Sequence, residues 1–434
     1  MLNDAIELKV EGGLEINFPA MYKATQSFPR PKLNNINARL SEQWQNINTG
    51  SLSGKRIAIT VGSRGIAGLI PILQATIQFL KSKQAKPFIV PAMGSHGGAT
   101  VSGQLSVLET YGITEKSLQV PIEATMEVVK ISEMADGTPL YLDRIASEAD
   151  GIVLCNKIKP HADFKGDYES GLLKMLCIGL GKHKGASVLH QHGFDNFHTV
   201  LPEAGAELLK KINIVFAVGI VENAFDDLMD VEVIPAENIM LREKALLALA
   251  KEHIPQLLFP EIDLLIIQEI GKNISGEGMD PNVTGRPGSG LAGFDAPPIK
   301  KIVALTVTPQ SHGNGVGIGM TDVTTRRLVS GLDFSAIYTN AMTATILDPA
   351  KIPLMANNDK EALAIALKTA PRTNPDTAKI VWIKNTLELT EVMVSQALIP
   401  IINQTPRLEA FAESHTFSFC EDGYFIGWQG AQNC

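Results

Sequence analysis

The residues best suited to chemistry are concentrated between Ile152 and Gly193. This stretch holds Lys174 and four of the nine histidines of the chain, namely His161, His183, His190 and His192. Imidazole is the commonest metal ligand and the usual general base near neutral pH. The concentration of histidines beside a lysine therefore indicates an active site or a metal site.

Two further candidate groups follow predicted strands. Lys55–Thr60 predicts a buried strand that runs into Gly62-Ser63-Arg64-Gly65, and Pro87–Ala92 predicts a second strand followed by a glycine-rich loop around His96. Open α/β sheets place ligands at the carboxyl ends of their strands. A glycine turn before a helix presents backbone N–H groups to an anion, and Arg64 could add a bidentate contact to phosphate or carboxylate.

The elements that position these residues alternate between strand and helix along the chain. We therefore predict an α/β protein of two domains, each a mostly parallel sheet flanked by helices, with the active site in the interdomain cleft. The first domain is predicted over residues 1–258 and the second over residues 259–400. Residues 401–434 form a tail that we expect to return to the first domain as an added strand. Two strand-like segments are predicted before residue 20, and Leu387–Ala397 is predicted to be helical.

Composition narrows the class of protein. The 434 residues include 38 Lys and Arg against 46 Asp and Glu, a net charge of -8 without basic runs, which disfavours binding to nucleic acid or to an anionic membrane. Four cysteines without a CxxC pair give no disulfide framework and no cysteine zinc site of standard spacing. No signal peptide or long apolar run is evident, so we expect a cytoplasmic protein.

The chain lacks the motifs of several enzyme classes. The chain has no GxSxG nucleophile elbow and no HExxH zinc motif, and the GxGxxG spacing at Gly288–Gly293 follows a long loop rather than a strand. His190-x-His192 could still chelate zinc from one face of a strand. The remaining arrangement is a pair of loop histidines, His96 and His161. Two imidazoles that face each other across a pocket could serve as the two bases of a racemase or epimerase.

A family resemblance adds to this interpretation. The motifs GSHGG, PHADFKGDYESGLLKM, GLGKHKGASVLHQHG and GMDPNVTGR together resemble the lactate racemase family, whose members carry a nickel pincer nucleotide cofactor. The chain is similar to a homologue group distinct from lactate racemase itself.

The resemblance implies a role for each candidate residue. His96 and His161 would be the acid/base pair that takes and returns the hydroxyl proton of a 2-hydroxy acid while hydride moves to the cofactor. Lys174 would bind the cofactor, a nickel pyridinium-3,5-bisthiocarboxylic acid mononucleotide, through a thioamide, and His190 would be a nickel ligand. The glycine turn and Arg64 would bind cofactor phosphate or substrate carboxylate. The cleft side of the second domain would carry Asp280, Asn282 and Arg286.

Other assignments stay open. An acidic insert, Gly166–Ser170, precedes Lys174, so Lys182 and Lys184 are alternative tethers, and His192 competes with His190 for nickel. We expect structural roles for His183, His198, His253 and His415 and assign none to His312. The expected partners are a small hydroxy acid and cofactor-maturation enzymes, and a homo-oligomer is compatible with the sequence. A non-catalytic α/β protein that binds an anionic metabolite is the alternative function, followed by a zinc hydrolase.

Overall fold

The computed structural model describes residues 6–426. Its strands, in chain order, are β1 Met21–Gln26, β2 Arg56–Val61, β3 Lys86–Pro91, β4 Val128–Glu133, β5 Pro139–Asp143, β6 Gly151–Lys157, β7 Ile214–Glu222, β8 Leu228–Pro235, β9 Ile262–Ile270, β10 Ile299–Val307, β11 Val323–Thr325, β12 Leu354–Ala356, β13 Ile380–Ile383, β14 Glu391–Ser395 and β15 Leu408–His415.

The α-helices are α1 Ile36–Trp44, α2 Leu69–Ser82, α3 Val101–Thr110, α4 Glu115–Leu118, α5 Arg144–Ser147, α6 Leu172–Lys174, α7 Lys182–His190, α8 Phe197–Lys211, α9 Ile239–Glu252, α10 Pro281–Thr284, α11 Arg326–Ser330, α12 Phe334–Ala344, α13 Asp359–Thr369 and α14 Ile399–Ile402. A π-helical turn, Met175–Gly179, continues α6. No helix within residues 6–426 is long and apolar enough to cross a membrane.

The described chain divides into two compact units. The first unit comprises Pro29–Ile254, and the second unit comprises the residues up to Phe28 together with those from Pro255 onward. The prediction that the N-terminal residues belong with the first unit is wrong, because β1 pairs with β14 and β15 of the second. The prediction that the tail returns to the first domain is also wrong, because β15 joins the sheet of the second unit. The end of the predicted tail, residues 427–434, lies outside the described residues.

The sheet of the first unit has the strand order β3-β2-β6-β7-β8. All neighbours are parallel except β7 and β8, which form an antiparallel pair. Its strands are apolar on both faces, as in β2, where Ile57, Ala58 and Ile59 are fully buried. Helices that cover both faces of a parallel sheet require this pattern. The carboxyl ends of β2, β3 and β6 therefore lie side by side at one edge.

The sheet of the second unit has the order β12-β11-β10-β9-β13-β14-β1-β15. The pairs from β12 to β13 are parallel, and those from β13 to β15 are antiparallel. The predicted fold class, α/β with mostly parallel sheets flanked by helices, is confirmed for the described residues.

Two local predictions are wrong. Leu387–Ala397 was predicted to be helical, but Glu391–Ser395 forms β14, in which Val392, Met393 and Val394 are buried between β13 and β1. The alternating segments before residue 20 form no strand among the described residues. Their apolar side chains, among them Ile16 and Phe18, instead pack against the core of the second unit without pairing of the backbone. Tertiary packing decides such short segments more strongly than local pattern.

Candidate active site in the first unit

Three loops at the carboxyl edge of the first sheet carry Arg64, His96 and His161. They follow β2, β3 and β6 respectively, and β2 lies between the other two strands. Since neighbouring strands are about 4.8 Å apart, the ends of β3 and β6 are separated by roughly 10 Å. This spacing leaves room for a small molecule between the two histidine loops.

The His96 loop is a tight glycine-rich turn. Gly94, Gly97 and Gly98 all have positive φ, and a Cβ on Gly97 would lie 2.6 Å from the backbone nitrogen of Gln104. The His96 side chain is exposed, and its Nδ1 forms a short hydrogen bond with the Ser63 hydroxyl. Ser63 thus orients the ring, and Nε2 is the ring nitrogen opposite this contact.

The acidic insert before Lys174 holds the His161 loop in place. Glu169 is fully buried and accepts the backbone N–H of His161 at 2.7 Å and that of Gly166 at 3.2 Å. Its carboxylate also lies 2.6 Å from Lys251 Nζ and 3.6 Å from Lys165 Nζ. Because two cations and two N–H donors surround this buried carboxylate, its position is strongly determined. The insert therefore supports the site, although its sequence suggested a departure from the family pattern.

A buried carboxyl group accepts a backbone N–H at the start of the helix that carries Lys174. Glu243 of α9 accepts the backbone N–H of Leu173 at 2.9 Å, and a Cβ on Gly171 would lie 2.1 Å from Glu243 Oε1. Burial raises the pKa of Glu243 to about 8, partly opposed by the N–H groups of Leu173 and Leu172. Because α9 also supplies Lys251, one helix supports both the His161 loop and the Lys174 helix.

Lys174 and His161 are in direct contact. Lys174 Nζ forms a short hydrogen bond with His161 Nε2, and His161 Nδ1 accepts the backbone N–H of Asp163 at 3.0 Å. A neutral ring whose Nδ1 accepts carries its proton on Nε2. That proton faces Lys174, so the contact is a favourable hydrogen bond only when Lys174 is an uncharged amine.

The electrostatics shift both groups toward their uncharged forms. Burial lowers the pKa of Lys174 to about 8, with Asp163 acting in the opposite direction and Arg64 and Lys159 adding to the lowering. Burial also lowers the pKa of His161 well below its usual value, followed by the charges of Lys174 and Lys159. At neutral pH the His161 ring is uncharged, and an amine nucleophile at Lys174 is accessible within about one pH unit.

His190 lies at the end of α7 in an aromatic enclosure shared with His161. Its ring stacks on Phe197 at 5.4 Å between centroids, and Phe194 lies 5.5 Å from His190 and 5.8 Å from His161. Burial, and then the charge of Lys174, lowers the pKa of His190 to about 4, while the Ala186 carbonyl acts in the opposite direction. Nδ1 of His190 is buried and has no hydrogen bond of normal geometry within residues 6–426. A neutral imidazole with a buried, unsatisfied nitrogen is suited to metal coordination.

The glycine turn after β2 lies against the Lys174 helix. A Cβ on Gly62 would be 3.3 Å from the Met175 side chain, and one on Gly65 would be 3.2 Å from Tyr111. Desolvation by the surrounding protein lowers the pKa of the Arg64 guanidinium. The group still remains charged at neutral pH. Arg64, Lys159 and Lys165 thus make the surroundings of His161 and Lys174 positive, which favours an anionic ligand.

Other candidates from the same stretch lie elsewhere. Lys182 is fully buried in an ion pair with Asp143, and the exposed Lys184 lies over the Tyr141 ring, so neither lies with His161. The prediction that His190 and His192 share a strand face is wrong, because His190 ends a helix and His192 bonds to Thr138 on the β4–β5 hairpin.

The remaining histidines form no further cluster in the described chain. His183, His198, His312 and His415 are exposed, and His253 bonds to the Leu249 carbonyl of its own helix. Among residues 6–426 no group of three or more His, Cys, Asp or Glu side chains could hold a metal ion. The described residues therefore offer no set of ligands for the zinc ion of a hydrolase.

The predicted residues of the second unit contact one another. Asp280 begins α10 by accepting the Asn282 backbone N–H at 2.9 Å and its side-chain amide at 2.8 Å. Arg286 pairs with Asp322 at 2.6 Å and donates to the carbonyl oxygens of Met320, Ile299 and Lys300. These contacts stabilise the local fold, and a role for the three residues in a shared cleft stays a prediction.

Three residues of the site were missed in the sequence. Lys159 stands two residues before His161, and Glu169 lies within the insert. Glu243 could have been found, because it falls on the buried face of α9 with Ile239, Leu246 and Leu247. An acidic residue on the apolar face of a helix signals a buried carboxyl group that needs a partner.

Comparison with known proteins finds similarity among solved structures. No family model matches the chain, and no curated protein does. Among solved structures, the chain is similar to that of the lactate racemase apoprotein from Thermoanaerobacterium thermosaccharolyticum, with a TM-score of 0.45 and 14% sequence identity over 83% of this chain and 88% of that one. At this TM-score the match carries no inference about the reaction of the present chain.

Proposed function

We propose that this chain is a racemase or epimerase of a 2-hydroxy acid that uses a nickel pincer nucleotide cofactor. The observation that supports this most is the contact of Lys174 with His161, inside the aromatic enclosure that also holds His190. A buried amine of lowered pKa beside a neutral imidazole is an unfavourable arrangement for stability alone, and such arrangements are concentrated at functional sites.

The residues present fit such a cofactor. Lys174 offers an amine that can form the covalent attachment, and His190 offers a neutral imidazole whose buried Nδ1 has no hydrogen bond of normal geometry among the described residues. A cofactor that brings its own sulfur and carbon donors needs only one imidazole from the protein, so a cluster of three protein ligands is not required. Arg64 and the backbone of the Gly62–Gly65 turn would bind the phosphate. When bound, the cofactor supplies a carbon that accepts hydride, chemistry that no side chain performs.

The two histidines would move the proton of the substrate hydroxyl. Removing that proton allows hydride to leave the neighbouring carbon without forming a carbanion beside a carboxylate. His96, oriented by Ser63, would act on one face of the substrate through Nε2, and His161 would act on the other. Nε2 of His161 accepts a proton only after the ring proton has moved to Nδ1, which lies 3.8 Å from a carboxylate oxygen of Asp163. Covalent use of the Lys174 amine would release His161 Nε2 from its present partner. The positive charges of Arg64, Lys159 and Lys165 would hold the substrate carboxylate.

The proposal is tested with protein co-expressed with cofactor-maturation enzymes. Pure enantiomers of small, dicarboxylic and polyhydroxylated 2-hydroxy acids are incubated in deuterated water, and the products are separated on a chiral column. We expect interconversion of at least one pair without deuterium at the inverted carbon. His96→Asn and His161→Asn should each lower the rate by about 100-fold or more.

The alternative function, a binding protein for an anionic metabolite, gives a different result. Such a protein would bind its ligand without turnover, and the two asparagine variants would keep the affinity. Protein that contains neither nickel nor cofactor after co-expression would contradict the proposal.

A further inference from the structure

A second lysine, Lys182, occupies a costly position close to the site. Its side chain has no exposed surface, and its backbone has a φ of 53°, in the left-handed region. For a residue with a long side chain this conformation is unfavourable, and burial of an ammonium group is unfavourable unless the group is paired. Such a placement persists only where the surrounding contacts determine it.

The Lys182 ammonium has two hydrogen-bond acceptors and one ion-pair partner. Asp143 Oδ2 lies 3.0 Å from Nζ, Gln104 Oε1 lies at 3.0 Å, and the carbonyl oxygen of Pro91 forms a short hydrogen bond. Asp143 and Gln104 are themselves fully buried. Pro91 is the last residue of β3, the strand that leads into the His96 loop.

Gln104 transmits this arrangement to the His96 loop. Because its oxygen accepts from Lys182, its amide nitrogen must point in the opposite direction, where it donates to the carbonyl oxygens of Gly94 at 3.0 Å and His96 at 3.4 Å. A reversed amide would place its NH₂ group against the ammonium. Lys182 therefore fixes which way the Gln104 amide points.

The His96 loop needs contacts of this kind. Gly94, Gly97, Gly98 and Ala99 have positive φ, so the loop forms no regular ladder of its own. Gly94 N–H also donates to the Gly179 carbonyl at 3.1 Å, in the π-helical turn that follows Lys174. The loop is thus fastened to the segment that carries Lys174 and Lys182.

We infer that Lys182 and Gln104 are positioning residues that hold the His96 imidazole in register with the Lys174 segment. Only the assignment of His96 as an acid/base rests on the proposed function, since the chain of contacts from Lys182 to the His96 carbonyl belongs to the fold. Lys182 and Gln104 would thus hold the His96 loop and the Lys174 segment in one fixed arrangement. A loop histidine would otherwise lose the geometry that proton transfer requires.

The test is Gln104→Met in cofactor-free protein, which removes all three hydrogen bonds of the Gln104 side chain and keeps its volume. Gln26→Met is the matched control, because Gln26 is also buried, accepts one hydrogen bond and donates to two carbonyl oxygens, in the second unit. The His96 ring is observed by NMR of ¹⁵N-histidine protein, assigned with His96→Gln. Amide exchange of residues 94–100 is followed by mass spectrometry.

We expect Gln104→Met to shift the His96 ring resonances and to speed amide exchange of residues 94–100 at least tenfold, while Gln26→Met changes neither. The double variant Lys182→Met/Asp143→Leu, which leaves no buried charge unpaired, should have the same effect on a folded protein. Unchanged His96 resonances and exchange in both folded variants would overturn the inference. In loaded, active protein we expect Gln104→Met to lower kcat about tenfold at constant KM. A wild-type protein without racemase activity would reject the proposed function and leave the NMR result intact.

Discussion

Two lysines of one segment, the half-buried Lys174 and the fully buried Lys182, have opposite environments. The Lys182 ammonium has a carboxylate and two further oxygen acceptors, whereas Lys174 meets the Nε2 of a neutral histidine. The first arrangement satisfies a charge, and the second favours the uncharged amine. Full pairing indicates a structural role, and incomplete pairing indicates a group that a ligand completes.

The largest expected effect comes from removing each lysine in turn. Lys182→Met leaves Asp143 buried without its cation, so we expect a loss of about 3–5 kcal/mol in the free energy of unfolding. Lys174→Met removes a poorly placed amine and should change that free energy by about 1 kcal/mol or less, or increase it. Urea titrations followed by circular dichroism measure both, with the exposed Lys184→Met as control. Equal losses for the two lysines would break the comparison.

A second contrast lies within the acidic insert. Glu169→Gln leaves the Lys251 and Lys165 charges without their carboxylate, and we expect a loss of about 2–4 kcal/mol. Asp167→Asn alters only the exposed pair with Lys244 and should cost about 0.5 kcal/mol or less. Urea midpoints give the two values. If Asp167→Asn is as damaging as Glu169→Gln, the insert acts through its overall charge rather than through the His161 loop.

The pH dependence of stability follows from Glu243. Its pKa of about 8 lies above the value in the unfolded chain, so between about pH 4.5 and 8 the folded state binds the extra proton. The contribution of Glu243 to stability is therefore fully present below this range and falls as pH rises through it. Glu243→Gln keeps the acceptor for the Leu173 N–H and should be more stable than wild type by about 4 kcal/mol at pH 8.

Measurement at two pH values checks the sign. The advantage of Glu243→Gln should be nearly absent in urea titrations at pH 4.5, where the wild-type carboxyl is protonated in the folded state and about half protonated in the unfolded chain. An advantage that is the same at both pH values would show that the carboxyl is ionised in the folded protein.

The smallest expected effect concerns the two histidines of the predicted His-x-His pair. His192→Gln removes the bond to Thr138 on a half-buried side chain and should cost about 1 kcal/mol or less. It should leave the nickel content of co-expressed protein unchanged, while His190→Gln should lower it severalfold or more. Metal analysis of the purified proteins compares them. Nickel loss in His192→Gln alone would reverse the ligand assignment.

The strands and loops of the site could be predicted because their signals are local. Buried apolar runs before glycine-containing loops correctly indicated β2 and β3 and the loops of Arg64 and His96. β14 was missed because its register is set by β13 and β1, which come from distant parts of the sequence. No local pattern distinguishes Lys174 from Lys182, since their partners, His161 on one side and Asp143 and Gln104 on the other, are brought near only by the tertiary fold.

The central claim is that Lys174, beside His161 and His190, is where this chain binds its cofactor. The most direct measurement is intact-mass spectrometry with peptide mapping of protein co-expressed with the cofactor-maturation enzymes, together with the nickel content of the same samples. We predict one added cofactor mass per chain on the peptide that carries Lys174, absent in Lys174→Met and retained in Lys182→Met/Asp143→Leu. An adduct on Lys182 or Lys184, or none on wild-type protein, would contradict this assignment.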